Sequence, residues 1–103
     1  MTILALVKKP GLMPEQRQIN LNDEDAMVRI VGGHTETIEI VPERLVLICN
    51  SEGEFLELPK NVLLEKREIR GNVVFAGWKD GSLSDIAPVD YQLLMNNVER
   101  YAI

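Results

Sequence analysis

The sequence predicts an α+β domain, an antiparallel-rich twisted sheet of about five to six strands with two helices. Three observations carry that prediction. Leu45 to Cys49 and Val73 to Ala76 are continuous apolar runs, too short for a free helix and suited to strands covered on both faces. Thr35 to Val41 alternates, with Ile38 and Ile40 on one side and Thr37 and Glu39 on the other, as a half-exposed strand does. Tyr91, Leu94, Met95, Val98 and Tyr101 recur at helical spacing behind Pro88, a residue suited to a first helical turn.

The elements follow in order. Thr2 to Val7 reads as a first strand, and Lys9 to Pro14, with two prolines, as a loop. Gln16 to Ile19 is a second short strand. Asn22 is placed to cap a helix whose first turn holds Asp23, Glu24 and Asp25, where carboxylates suit exposed amides and the dipole. Met27, Ile30 and Val31 form its apolar face, and Gly32-Gly33 stops it, the first glycine acting as C-terminal cap. The strand 35–41 then leads through Pro42-Glu43 to the strand at Leu45. Asn50-Ser51-Glu52-Gly53 is read as the turn of a bulged hairpin, with Gly53 left-handed and Phe55 to Leu58 as the return strand ended by Pro59. Residues 60–71 fit either a helical turn or a loop. Asn72 to Gly77 is a central strand, Lys79-Asp80-Gly81-Ser82 a turn, and Leu83 to Ile86 a brief return.

At 103 residues the chain is expected to form a single domain, 1–103, with one core and no need of metals or bridges. The lysines near the N-terminus follow the first apolar run, whereas a signal peptide carries its positive charge in front. No run approaches the ~20 apolar residues of a membrane span. A cytoplasmic location and no membrane association are therefore expected. Net charge is −5, and the excess is local: residues 1–57 hold ten acids and five bases, residues 58–103 six of each. Such a surface does not seek phosphate backbones, so direct nucleic-acid binding is not expected. It suits solubility, or a basic partner.

No catalytic set is visible. Cys49, the lone cysteine, ends an apolar strand and reads as a small buried hydrophobe. His34, the lone histidine, cannot assemble a zinc site with one cysteine, and no metal or cofactor is expected. Asp23, Glu24 and Asp25 point in different directions on a helix, and Ser51 and Ser82 lack the Gly-x-Ser-x-Gly setting of a nucleophile. Two binding readings remain. Glu36, Glu39 and Glu43 lie on or beside the half-exposed strand and offer a surface to a basic protein, with Trp78 as either an interface anchor or a core edge. Alternatively Gly32, Gly33, His34, Asn50 and Asn61 line a pocket for a small molecule or nucleotide, although both asparagines also suit loop-holding roles.

The order of blocks resembles a known family. Val31-Gly32-Gly33, the Ile/Glu alternating strand, Leu45-Val46-Leu47-Ile48-Cys49-Asn50-Ser51-Glu52-Gly53, Leu58-Pro59-x-Asn61 and Ile69-x-Gly71-Asn72-Val73-Val74-Phe75-Ala76-Gly77 are similar to domain of unknown function 3846. The likeness spans roughly residues 3–86, leaving the final helix outside it. The family is common in phages, prophages and plasmids and brings no reaction or catalytic residues. The resemblance implies a mobile-element accessory protein, acting in the bacterial cytoplasm by engaging or inhibiting a host protein, with an anti-defence role among the options. A sequestered small molecule is the rival, and self-association is compatible with either.

Overall fold

A computed structural model describes residues 1–103. Its elements are β1 (Thr2–Lys8), β2 (Glu15–Asn20), α1 (Ala26–Val31), β3 (Thr35–Val41), β4 (Leu45–Asn50), β5 (Lys60–Leu64), β6 (Arg67–Arg70), β7 (Val73–Lys79), β8 (Ser82–Ser84), α2 (Pro88–Asn96) and α3 (Val98–Tyr101). The α+β class is as the sequence predicts. Every pairing is antiparallel, in the order β2-β1-β7-β4-β3 with β8 beside the end of β7, and β5 and β6 form a separate two-stranded hairpin. No helix is long and apolar enough to cross a membrane.

Strand alternation divides the core between two faces. Ile3, Ala5, Val7, Val46, Ile48, Val74 and Ala76 pack under α1, which contributes Ala26, Met27, Ile30 and Val31. Leu6, Leu45, Leu47, Cys49, Val73 and Phe75 point the other way. They meet Val62 and Ile69 of the hairpin, Tyr91, Leu94 and Met95 of α2, and Tyr101 of α3. Phe75 and Tyr101 stack edge to face at 5.8 Å. The helical segments thus lie on opposite faces of the sheet. The face of Tyr91, Leu94 and Met95 is the one read from spacing, although the helix breaks at Asn97 into α2 and α3.

The expected turn at 79–82 is present, with Asp80 at φ 52° and Gly81 at φ 79°, the two positive values of a type I′ turn. Gly77 of β7 pairs with Ser84 across this hairpin, and an added Cβ there would fall 2.0 Å from the Asp85 carbonyl oxygen. Only a glycine permits β8 to fold back that closely.

Three expectations are corrected. No return strand forms at 55–58. Asn50 Oδ1 accepts the Glu52 N–H, and the Leu56 and Leu58 N–H groups donate to the carbonyls of Glu52 and Gly53, so the chain coils through turns. Phe55 is left 83% exposed. Strand β4 is buried at all six positions and needs apolar neighbours on both sides. Phe55-Leu56-Glu57-Leu58 cannot supply that surface, whereas Val73 to Gly77 can, so β4 pairs with β7. Gly53 is correspondingly not left-handed. It is buried where a Cβ would lie 3.0 Å from the Arg70 carbonyl, so it is small because the 51–57 turn rests on β6.

Residues 60–71 are neither helical turn nor open loop. They form the β5–β6 hairpin, reversed at Glu65 with φ 56° in a turn that has neither glycine nor asparagine. Helix α1 begins at Ala26, later than expected, and Asn22 does not cap it. Instead Asn20 Oδ1 accepts the Asn22 N–H and Asp23 Oδ1 the Asp25 N–H, two successive side-chain turns that delay the helix. The Asp23 carboxylate also pairs with Arg29, whose hydrogen bonds hold it below the usual carboxylate range.

Candidate functional site

Four of the five candidate pocket residues converge where α1 ends. Gly32 takes φ 82° and donates its N–H to the Val28 carbonyl at 2.8 Å, the left-handed cap that the sequence predicts. The orphan carbonyls of Ile30 and Val31 are met by side chains. Asn72 Nδ2 donates to Ile30 O at 3.0 Å and Asn50 Nδ2 to Val31 O at 3.3 Å. Gly33 lets Asn50 approach, since a Cβ there would sit 3.0 Å from Nδ2. The His34 carbonyl accepts the Ser51 N–H, while its ring stands in solvent 3.5 Å from Glu52. Asn50 therefore spends its side chain on the helix end and on the 51–57 turn.

Asn61 lies apart, in a network that sequence reasoning missed. It is wholly buried and donates both amide hydrogens, to the Lys8 and Gly71 carbonyls at 2.8 Å each. Its Oδ1 accepts the Lys8 ammonium at 2.6 Å. Lys8 is 1% exposed and has no carboxylate in its ion-pair shell. Desolvation by burial lowers its pKa. The signal was parity: Lys8 follows Leu6 by two residues, so it points to the same face. With both N–H groups given away, Oδ1 taken by Lys8 and no exposed surface, Asn61 does not face a ligand.

A cleft of about 610 Å³ opens between the 49–54 turn and the β5–β6 hairpin. Asn50, Ser51, Glu54, Arg67 and Arg70 line it, with Cys49 at its inner wall. Burial pushes the Cys49 thiol up, away from the thiolate a nucleophile requires. Arg67 reaches across to Glu36 in a bidentate pair at 2.7 and 2.9 Å, which holds the Glu36 carboxyl below its ordinary value. Glu36 thus ties β3 to the hairpin and is not a free surface charge. Arg70 gives one guanidinium N–H to the Leu58 carbonyl at 3.0 Å. No three His, Cys, Asp or Glu side chains gather as a metal-ligand set.

The other partner candidates divide. Glu39 is exposed on β3, an edge strand, and Glu43 is exposed in the β3–β4 turn with φ 61°. Asp23, Glu36, Glu68 and Asp90 pair with an arginine or lysine and Glu52 lies near His34, whereas Glu39 and Glu43, like the remaining carboxylates, have no basic side chain within reach. Trp78 is half-buried, packed with Leu83 against the core beneath α1. Sequence reasoning also missed Arg44 and Asp90. Asp90 is 2% exposed at its side chain and receives Arg44 at 2.9 and 3.0 Å, fastening α2 to the β3–β4 turn.

Set against known families, the chain matches the family model described as Domain of unknown function (DUF3846) over residues 1–98, which includes α2. No curated protein and no solved structure matches it.

Proposed function

The chain belongs to the DUF3846 family, and from that premise we propose that it is a binding protein rather than an enzyme, a mobile-element accessory factor that engages a basic surface of a host protein in the bacterial cytoplasm. The observation that carries this reading is the contrast in commitment between its two sets of candidate residues. Asn50 and Asn61 are spent on internal hydrogen bonds, and every buried side-chain polar atom has a partner. Glu39 and Glu43 are exposed and unpaired beside an open sheet edge. Charge left unneutralised beside an edge strand steers an oppositely charged partner and sets register. Inhibition of a host defence factor is one outcome such docking would have.

The cleft at Ser51 and Arg70 supports a second reading, capture of a small anionic metabolite or nucleotide, because Arg70 makes only one side-chain hydrogen bond. One experiment separates them. A host protein captured from bacterial lysate is titrated with wild type and with the double variant Glu39→Lys, Glu43→Lys. Association slows by roughly tenfold in the variant and in added salt, while the melting temperature of the free protein is unchanged. Failure to capture any protein, with a nucleotide raising the melting temperature in an Arg70-dependent way, transfers the assignment to the cleft.

A further inference from the structure

We propose that β3 accepts an extended basic segment of its partner as an added antiparallel strand along residues 35–39, with cations on the Glu39 side of the sheet and apolar side chains beside Ile38. The proposal rests on the binding reading above and specifies its mode.

The backbone supplies the template. The Ser51 N–H donates to the His34 carbonyl at 2.8 Å, which makes residues 34 and 51 a hydrogen-bonded pair. Antiparallel pairs alternate between bonded and non-bonded. In the β3–β4 register Glu36 with Cys49 and Ile38 with Leu47 are therefore bonded, whereas Thr35, Thr37 and Glu39 turn their N–H and C=O groups away from β4. β3 ends the strand order, and no turn or cap bond reaches those three residues. The register shift between Glu39 and Val41 ends the straight template there.

The side chains state what fits. Thr35, Thr37 and Glu39 are exposed on one face, with Glu43 just beyond. On the other face Ile38 and Ile40 are half-buried at the margin of the core, and Glu36 is neutralised by Arg67. An incoming strand alternates its own side chains between the same two faces. The complementary sequence thus alternates cationic with apolar residues. The opposite edge does not offer this. β2 carries Gln16, Arg17 and Gln18, with Glu15 at its start, so a cationic strand selects β3. A second copy of β3 would bring its own unpaired Glu39 to the same edge, so charge also disfavours self-pairing.

The test uses the intact protein and a short, end-blocked peptide alternating lysine and valine. A second peptide has the same sequence with alternate backbone amides N-methylated, which keeps charge but removes one hydrogen-bonding edge. The first peptide binds, and in its presence the amides of Thr35, Thr37 and Glu39 exchange more slowly. N-methylation weakens binding by roughly tenfold or more, and Thr37→Pro does the same, since proline removes an outward N–H that an edge strand can spare. If both peptides bind equally and Glu39→Lys still weakens them, strand addition is rejected while the acidic docking surface stands. If Glu39→Lys and Glu43→Lys leave binding untouched, the acidic surface itself is rejected. Absence of binding by either peptide rejects strand addition, as does self-association of the free protein that Thr37→Pro abolishes, which would make a second copy the occupant.

Discussion

On one face of the sheet sits α1, a six-residue helix that reaches its place directly from β2 and leads directly into β3. On the other sits a cover drawn from two distant stretches, the β5–β6 hairpin inserted between β4 and β7, and the C-terminal helices. Each face buries nine residues in its core cluster. Equal burial is nevertheless secured in different ways. The local cover is held by two asparagine side chains at the helix end. The distant cover is pinned by a buried polar knot, Lys8 with Asn61 and Gly71, and by the Arg44–Asp90 pair. A short helix between neighbouring strands has little freedom to be misplaced. A long insertion does, and directional hydrogen bonds in a low-dielectric setting fix its position in a way that apolar contact alone does not.

Asn61→Ala is the sharpest way to break that comparison. It takes a donor from each of two buried carbonyls and the nearer acceptor from the Lys8 ammonium, which keeps only the Lys9 carbonyl at 3.4 Å. Each unmet group costs ~1–3 kcal/mol, so the loss is expected near 4 kcal/mol. Asn50→Ala, on the local side, forfeits one helix-end bond and one turn bond and is expected to cost about 1.5 kcal/mol. Urea denaturation of both variants checks the ranking, and equal losses would mean that the two covers are anchored alike.

The same asymmetry explains what could be read in advance. The strands at 2–7, 35–41, 45–49 and 72–77 announce themselves through composition that is nearly independent of the partner strand. So does the Asp80-Gly81 turn. The stretch from Ser51 to Gly71 does not. Phe55-Leu56-Glu57-Leu58 has the apolar content of a strand, and only the competing surface of Val73 to Gly77, far along the chain, decides that β4 pairs elsewhere. The hairpin turn at Glu65 offers no glycine signal because a glutamate accepts the left-handed backbone there. In the candidate site, the cap at Gly32 was legible from its position after an apolar helical face. The internal commitment of Asn50, Asn61 and Glu36 was not, since Glu36 and Arg67 meet only through the tertiary fold.

Proton linkage sharpens the contrast further, at smaller amplitude. The unfolded chain keeps the Lys8 proton up to the ordinary value of 10.5, and the folded chain releases it earlier because burial penalises the ammonium. Between the lowered folded value and 10.5 the unfolded state binds more protons, so stability rises with pH across that window and is lowest below the folded value. Tyr101 acts oppositely. Burial pushes its hydroxyl from 10.0 up to about 12, so its contribution is full below 10.0 and fades as pH rises towards 12. Lys8→Met leaves Asn61 Oδ1 unpaired at every pH, which lowers stability uniformly, and removes the slope. Melting temperatures of wild type and Lys8→Met followed from neutral pH up to 10.5 should therefore diverge in favour of wild type, the Tyr101 contribution being common to both. A gap that stays constant all the way to 10.5 would show that burial in the distant cover does not lower the Lys8 value.

The smallest effect belongs to the local cover and isolates backbone conformation from contact. Gly32 is left-handed at φ 82°, yet an added Cβ would meet nothing within 4 Å. Gly32→Ala therefore pays in conformation alone, about 1 kcal/mol. Gly32→Asn should recover most of that, because asparagine tolerates the left-handed region. At Gly33 the ordering differs: no positive φ applies, and a methyl group would press on Asn50 Nδ2 at 3.0 Å, loosening the side chain that holds Val31. Gly33→Ala should consequently lose little in the Asn50→Ala background, whereas Gly32→Ala should cost the same in either background. A double-mutant cycle measured by urea denaturation reads both. Coupling of Gly32→Ala to Asn50→Ala, or none for Gly33→Ala, would show that the helix end is held by something other than the left-handed cap and the asparagine amide.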